Sequence, residues 1–322
     1  MRGRAVLISG YASLDSFILV DRFRGLGETS TVLALEGLGH PLPGGCACNI
    51  AVACARLGIE NFLVTALGKD AEGLTYRNLL RAAGVDTRFV CLVKGKNSPR
   101  TLLVNDRDGN HMTFYYPGAS DHIMEELRDE LPALEELDIH YGVITVGDPR
   151  LTRELVTHLH RKETPVLWSF RADMRAYPPD LLQFLLEVAA YLVINEAEAR
   201  LLQRILSLGD VSELLRHGLK GVVVTKGSRG SEVITEAGRE TIPPVRPSCV
   251  VDPTGAGDGF VAGVTYGLYH GLPLSISARI GATLASFVLE EWGAQTALPG
   301  LAKLKARYCK NFGPWPIREG DQ

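Results

Sequence analysis

Between the apolar run Cys249-Val250-Val251 and the helix-like segment Phe260-Val261-Ala262-Gly263-Val264 lies Asp252-Pro253-Thr254-Gly255-Ala256-Gly257-Asp258-Gly259. Its closely spaced glycines let the backbone approach a ligand and point successive N–H groups at one place. The helix that follows adds the positive end of its dipole. Such a turn suits a phosphate or a developing oxyanion. Asp258 then falls in the first helical turn, where a carboxylate could take a proton from a hydroxyl aimed at phosphorus. The structural alternative is that Thr254 or Asp252 caps the helix and the glycines make an ordinary strand-to-helix connection. A second glycine-led start, Pro43-Gly44-Gly45-Cys46-Ala47-Cys48-Asn49, opens the segment Ile50 to Gly58, whose small residues suit a buried helix ending at Gly58.

Short apolar runs that could position these turns occur at Ala5 to Ser9, Asn61 to Ala66, Gly142 to Val146, Pro165 to Trp168, Tyr191 to Ile194 and Gly221 to Thr225. Between them, Gly73 to Ala83, Arg150 to Lys162, Leu181 to Ala190, Glu196 to Leu206 and, later, Ile276 to Glu290 carry apolar residues at helical spacing. The alternation predicts an α/β fold with βαβ units, a mostly parallel sheet covered by helices on both faces, and ligands at the strands' carboxyl ends. Phe17 to Leu35 and Thr101 to Tyr116, the latter with the turn Asp106 to Asn110, break the pattern and read as extended strands, either a small β lid or an edge hairpin.

Asp15 in Gly10-Tyr11-Ala12-Ser13-Leu14-Asp15, the Gly44-Gly45 to Asn49 element, Asn195-Glu196-Ala197-Glu198 and the Asp252 to Asp258 turn occur in this order along the chain. In these pieces the chain resembles the PfkB carbohydrate kinases of the ribokinase-like superfamily nearly end to end. The resemblance implies one three-layer α/β/α domain over residues 1–322, with lid segments near 16–40 and 97–118 folding over the substrate to exclude water. It implies ATP as phosphoryl donor with Mg²⁺, and in many members a monovalent cation such as K⁺.

The resemblance also implies roles. Asp15 accepts hydrogen bonds from neighbouring sugar hydroxyls, Gly44 and Gly45 let the backbone approach the sugar, and Asn49 supplies a donor and an acceptor. Asn195 and Glu198 organise Mg²⁺ and phosphate, Glu198 through water, which suits an ion that keeps its hydration shell. Without the resemblance the same two residues read as a capping box. Thr225, Gly227 and Gly230 belong to a nucleotide-binding strand end, where Lys226 is either a phosphate contact or a solvated surface lysine. Asp258 is the base, the N–H groups of Gly255, Ala256 and Gly257 form the anion hole, and Asp252 with the backbone near Thr254 matches the cation site. Neither GxxxxGK[ST] nor GxGxxG is present at these turns, so the resemblance is to neither a P-loop nor a dinucleotide fingerprint.

Sugar kinases of this family often carry Phe-Asp-Pro-Asn-x-Arg after a central strand. Here the run is Phe170-Arg171-Ala172-Asp173-Met174-Arg175, with Arg171 in place of an acid. Phe114 to Ala119, Glu290 to Gln295, Ala306 to Tyr308 and Asn311 to Gly313 have features of the adenosine-kinase-like branch. Phe17, Phe23, Phe114 and Tyr116 would suit stacking on a base, or ordinary packing of lid strands. The acceptor is thus bracketed as a sugar or ribonucleoside bearing a primary hydroxyl. Adenosine kinase proper, a non-catalytic sugar or nucleoside sensor and a pyridoxal-type kinase are the alternatives. Asp258 argues against the sensor, and Asp15 with Gly44, Gly45 and Asn49 suits a polyol better than pyridoxal.

With 322 residues and 46% hydrophobic content the chain can bury a large core. Its 34 Lys and Arg against 37 Asp and Glu, with no long basic block, argue against nucleic acid as a partner. Met1 to Arg4 run straight into a strand-like segment without a signal-peptide apolar region, and no membrane-length apolar run follows, so the expectation is a cytoplasmic protein. Cys46, Cys48, Cys54, Cys91, Cys249 and Cys309 lack metal-site spacing and are expected as reduced, buried thiols. His158 and His160 are expected on a helix surface. A lid edge such as Thr101 to Val104 could pair with a second copy to make a homodimer.

Overall fold

The computed structural model describes residues 5–108 and 110–317, without the side chain of His111. Met1 to Arg4, and Gly109 within the expected turn, lie outside the described residues. Strand β1 (Ala5–Ser9) leads into β2 (Ser13–Val20), β3 (Val32–Glu36) and β4 (Leu42–Gly44). Helix α1 (Cys46–Arg56), β5 (Asn61–Gly68), α2 (Ala71–Ala82) and β6 (Val90–Val93) alternate, and β7 (Arg100–Asp106) and β8 (His111–Tyr116) form a hairpin. After the short helices α3 (Ile123–Leu127) and α4 (Leu131–Glu135), alternation resumes with β9 (Ile139–Ile144), α5 (Pro149–Arg161), β10 (Val166–Ser169) and α6 (Pro179–Val188). It continues through β11 (Tyr191–Asn195), α7 (Glu196–Leu206) and β12 (Gly221–Thr225) to the hairpin β13 (Ser231–Thr235) and β14 (Gly238–Ile242). Helices α8 (Ala256–Tyr269), α9 (Leu274–Val288) and α10 (Leu301–Phe312) follow.

A nine-stranded sheet has the order β14-β13-β12-β11-β10-β9-β1-β5-β6. It is parallel from β12 to β6, and the edge strands β13 and β14 add to it in antiparallel fashion, β13 on β12 and β14 on β13. Buried strands such as β1 and β5 are apolar almost throughout because both sheet faces are covered. Alternate side chains of β1 divide between two cores. Val6 and Ile8 pack with α1, α8 and α9, whereas Ala5 and Leu7 pack with α5 and α6. The result is the expected three-layer α/β/α arrangement. The chain progresses from β1 to β5 and β6 on one side and from β9 outward on the other, so the strand order reverses between β1 and β9. Carboxyl ends of strands at such a switch point leave a crevice.

The five strands of the second sheet run β3-β2-β7-β8, with β4 also on β2. Strand β7 is flanked on both sides, by β2 in parallel and by β8 in antiparallel. This corrects the expectation of a free edge at Thr101 to Val104: the edges are β3 and β8. Helix α10 and strands β6, β13 and β14 were not foreseen, since β14 is short and largely exposed and carries little apolar signal. Cys249 and Cys309 are exposed, against the expectation of buried thiols. His158 is mostly buried, with 12% of its side chain exposed beside Glu135, and is not a surface residue.

Candidate active site

The two glycine-led turns meet at the crevice. Helix α1 begins after Gly45 (φ 89°) and α8 after Gly255 (φ 77°), and neither N-terminus has a side-chain cap among the described residues. Their first N–H groups therefore remain available to an anion or a polar ligand. Gly255 is required twice over: its φ is left-handed, and a Cβ there would stand 2.2 Å from that of Ala294. Asp252 and Thr254 do not cap α8. The buried Asp252 carboxylate instead accepts the Thr254 N–H at 2.9 Å through Oδ1 and the Gly293 N–H at 3.0 Å through Oδ2, which ties the turn to the segment after α9.

A cleft of about 780 Å³ lies over the strand ends. Asp15, Gly45, Asn49, Asn195, Glu198, Thr225, Thr254, Gly255, Gly257 and Asp258 all border it. Gly44 stands directly behind Asp15, and a Cβ there would overlap the Asp15 carboxylate at 1.9 Å. Ala256 opens α8 between two cleft-lining glycines. Gly227 and Gly230 lie in the turn after β12 and are not on the cleft wall, and Lys226 pairs with Glu232 at 3.5 Å.

At the centre Asp258 is 5% exposed. Its Oδ2 accepts from Asn49 Nδ2 at 2.8 Å, and its Oδ1 from Arg171 at 2.6 Å. Asn49 is itself held: Gln295 Nε2 donates to Asn49 Oδ1 and to the Tyr76 hydroxyl, both at 2.9 Å, and Tyr76 donates to the Gly44 carbonyl at 2.6 Å. The two helix starts are thus linked by one chain of hydrogen bonds. Gln295 and Tyr76 were not foreseen as part of the site, because hydrogen bonding across such sequence separations leaves no local pattern.

Asp15, on β2, is buried, and burial pushes its carboxyl up to about 6 although nearby Ser13 and Thr101 hydroxyls offset part of the effect. Its Oδ1 has no hydrogen-bond partner among the described residues. A buried acceptor without a donor at a cleft wall can accept a hydrogen bond from a ligand hydroxyl. Asn195 and Glu198 do form the capping box: Glu198 N donates to Asn195 Oδ1 at 2.9 Å and Asn195 N to Glu198 Oε2 at 2.7 Å. Burial raises the Glu198 pKa while Arg171 opposes the rise. One carboxylate oxygen of Glu198 carries that backbone bond, and the residue still faces the cleft, which fits contact with a hydrated Mg²⁺. Among the described residues no three His, Cys, Asp or Glu side chains cluster as a metal cage. Asp252 accepts one backbone N–H on each oxygen, which ties the turn in place and leaves further lone pairs on both.

The aromatic expectation is corrected. Phe114 and Tyr116 point outward and are more than half exposed, and Phe17 is buried against Trp292. Strand alternation instead turns Tyr115 inward, where it stacks on Tyr11 with ring centroids 5.2 Å apart and planes 26° from parallel. Both rings line the cleft. Burial pushes both phenols above their ordinary range, so each is a neutral hydroxyl, and Tyr115 meets Ser120 Oγ at 3.1 Å.

No helix among the described residues is long and apolar enough to cross a membrane. Residues 20–301 match the model of the pfkB family carbohydrate kinases. A nucleoside kinase of Methanothermobacter thermautotrophicus is 29% identical, over 97% of this chain and 98% of its own. A ribokinase of Bacillus subtilis is 29% identical over 92% of this chain and 96% of its own. The structure of Burkholderia thailandensis nucleoside kinase in complex with inosine superposes with a TM-score of 0.86 at 25% identity, covering 96% of this chain and 98% of that one. The Methanocaldococcus jannaschii nucleoside kinase structure gives 0.82 at 27% identity, covering 96% and 99%. The chain belongs to the pfkB carbohydrate kinase family, with the ribokinase-like α/β fold, and is an ATP-dependent phosphotransferase acting on a sugar or nucleoside.

Proposed function

We propose that the acceptor is a ribonucleoside, phosphorylated at its primary hydroxyl. The observation that carries this reading is the Tyr11–Tyr115 pair on the cleft wall, one ring from the connection between β1 and β2 and one from β8. A flat aromatic surface beside a hydroxyl-binding carboxylate suits a base joined to a ribose, and stacking contributes about 1 to 3 kcal/mol per base. Similarity to a nucleoside kinase bound to inosine supports the same choice.

In this reading Asp15 accepts from two ribose hydroxyls, and Gly44, Gly45 and Asn49 hold the ribose against α1. Asp258 takes the proton of the attacking hydroxyl as the oxygen–phosphorus bond forms, and the N–H groups of Gly255, Ala256 and Gly257 receive charge on the transferred phosphoryl group. Asn195, Thr225 and Thr254 contact the nucleotide from the cleft wall, and Gly227 and Gly230, off that wall, shape the turn that follows Thr225. Mg²⁺ on the nucleotide phosphates, reached from Glu198 through water, would neutralise their charge. Asp252 keeps the turn in shape, and K⁺ held by it and by the backbone near Thr254 would reinforce that order. The β2 to β8 sheet acts as a lid. Its outer face exposes Val32, Leu35, Met112, Phe114 and Tyr116, which supports a homodimer through this sheet. With ATP as co-substrate, the reaction belongs in the cytoplasm.

The test is kcat/KM with ATP and Mg²⁺ for inosine, adenosine, cytidine, ribose and fructose. At least one nucleoside is expected to exceed both sugars by about tenfold or more, the discrimination that base stacking supplies. Faster turnover of ribose or fructose would reject the nucleoside reading and leave the sugar kinase.

A further inference from the structure

Arg171 follows β10 and borders the cleft, where it meets the Asp258 oxygen that Asn49 does not hold. Its Nη2 donates to Asp258 Oδ1 at 2.6 Å, and Nη1 donates to the Phe170 carbonyl at 3.1 Å. The same Nη2 would stand 3.6 Å from a Cβ placed on Gly257, so the guanidinium rests against the Gly255 to Asp258 turn as well as on the carboxylate. It borders the cleft with 24% of its side chain exposed. Burial works against its charge, but Cys46, Asp258 and Glu198 hold it well above the ordinary arginine range, so it is a permanent cation.

This arrangement poses a conflict and its resolution. With Oδ2 engaged by Asn49 and Oδ1 by Arg171, the acceptor hydroxyl must compete with a strong charge-assisted bond to reach the base. We propose that Arg171 is a catalytic residue: the acceptor hydroxyl displaces it from Asp258 Oδ1, and the freed guanidinium, already beside Gly257, donates to oxygens of the transferring γ-phosphoryl group. The hydroxyl oxygen then bonds to Pγ, its proton passes to Asp258, and the Pγ–O bond to the β-phosphate breaks with its electron pair leaving on ADP. Arg171 carries part of the charge spread over the phosphoryl oxygens, the role for which a planar, multiply donating cation is suited. Re-pairing with Asp258 after product release would return the cleft to its starting state.

The inference rests on Asp258 being the base, so Asp258→Asn is measured beside Arg171→Ala and Arg171→Lys, each with ATP, Mg²⁺ and the acceptor that the unaltered enzyme uses best. Arg171→Ala is expected to lower kcat by at least about 100-fold with acceptor KM changed less than about threefold. Free guanidinium ion, below denaturing concentrations, is expected to restore part of the rate in Arg171→Ala and none in Asp258→Asn. Unchanged or increased kcat in Arg171→Ala would show that the arginine only masks the base, and a rise in KM alone would make it a binding residue; either overturns the proposal. If Arg171→Ala fails to fold, Arg171→Lys decides, with a kcat loss of about tenfold or more expected from its single point charge and an unchanged kcat contradicting. Normal turnover by Asp258→Asn would reject the base assignment separately.

Discussion

Asn49 donates from Nδ2 to Asp258 Oδ2 at 2.8 Å, joining the first turns of two helices whose residues stand 209 positions apart in sequence. The amide cannot rotate freely, because Gln295 holds its oxygen from the other side at 2.9 Å. The bond thus fixes the orientation of the Asp258 carboxylate and, under the proposed mechanism, the face it offers the acceptor.

Replacing Asn49 by Leu leaves Asp258 and Gln295 each short of a buried partner, at a cost of about 1 to 3 kcal/mol per group. The variant should melt several degrees lower and lose about 10- to 100-fold in kcat, as the base drifts from its aim. Thermal unfolding and steady-state rates check both, and a stable variant of normal kcat would contradict the positioning role.

Asp15 gives a pH signature. Its carboxyl is raised from 3.8 to about 6 in the fold, so between these values the folded state holds the proton more tightly than the unfolded chain. Stability should therefore fall as pH rises through that window and stay lower above it, by about 3 kcal/mol in the ligand-free protein. Asp15→Asn removes the cost: it should be more stable than the unaltered protein at pH 8 and about equally stable near pH 4, while binding the acceptor more weakly. Thermal midpoints at the two pH values test this, and parallel curves would argue against it. In the unaltered enzyme acceptor KM should rise as pH drops below about 6.

Gly255→Ala would force a left-handed φ of 77° on alanine and drive its Cβ into Ala294. The backbone strain alone costs about 1 to 2 kcal/mol, and relief of the clash must shift the N–H groups that the proposal assigns to the anion hole. The expected result is a drop in kcat of about 100-fold or more with modest loss of stability. Nearly normal kcat would mean that the turn does not contact the transferred group.

Tyr115→Ala removes one ring of the stacked pair and leaves the ribose-facing groups in place. Nucleoside KM should rise about 10- to 100-fold, whereas KM for free ribose, if it turns over, should change little. Equal effects on both would indicate that Tyr115 packs the lid and does not contact a base.

Much of this site was legible in the sequence because its main parts are local. The glycines and Asp258 of one turn, and Gly44, Gly45 and Asn49 of another, carry their geometry in adjacent residues, and the strand-to-helix alternation predicted the parallel sheet that brings both to one crevice. The missing parts are those built by long-range packing. Gln295 and Tyr76 act through bonds across the fold, and Arg171 read only as a substitution in an expected motif until the structure paired it with Asp258. Tyr115 was passed over for Phe114 and Tyr116 because a strand one residue out of phase exchanges its faces, and no local feature fixed which face met the cleft. The second sheet's order, which buries β7 between two neighbours, is likewise a property of pairing and not of any one segment.

The most direct measurement of the central claim is single-turnover phosphoryl transfer from ATP to the best nucleoside by the unaltered protein and by Asp258→Asn. The substitution keeps size and hydrogen bonding but cannot take the proton. A loss of about 10²- to 10⁴-fold in the chemical step, with acceptor and ATP affinity preserved, is the predicted result. Equal rates in the two proteins would contradict Asp258 as the base and with it the mechanism built around the Gly255 to Asp258 turn.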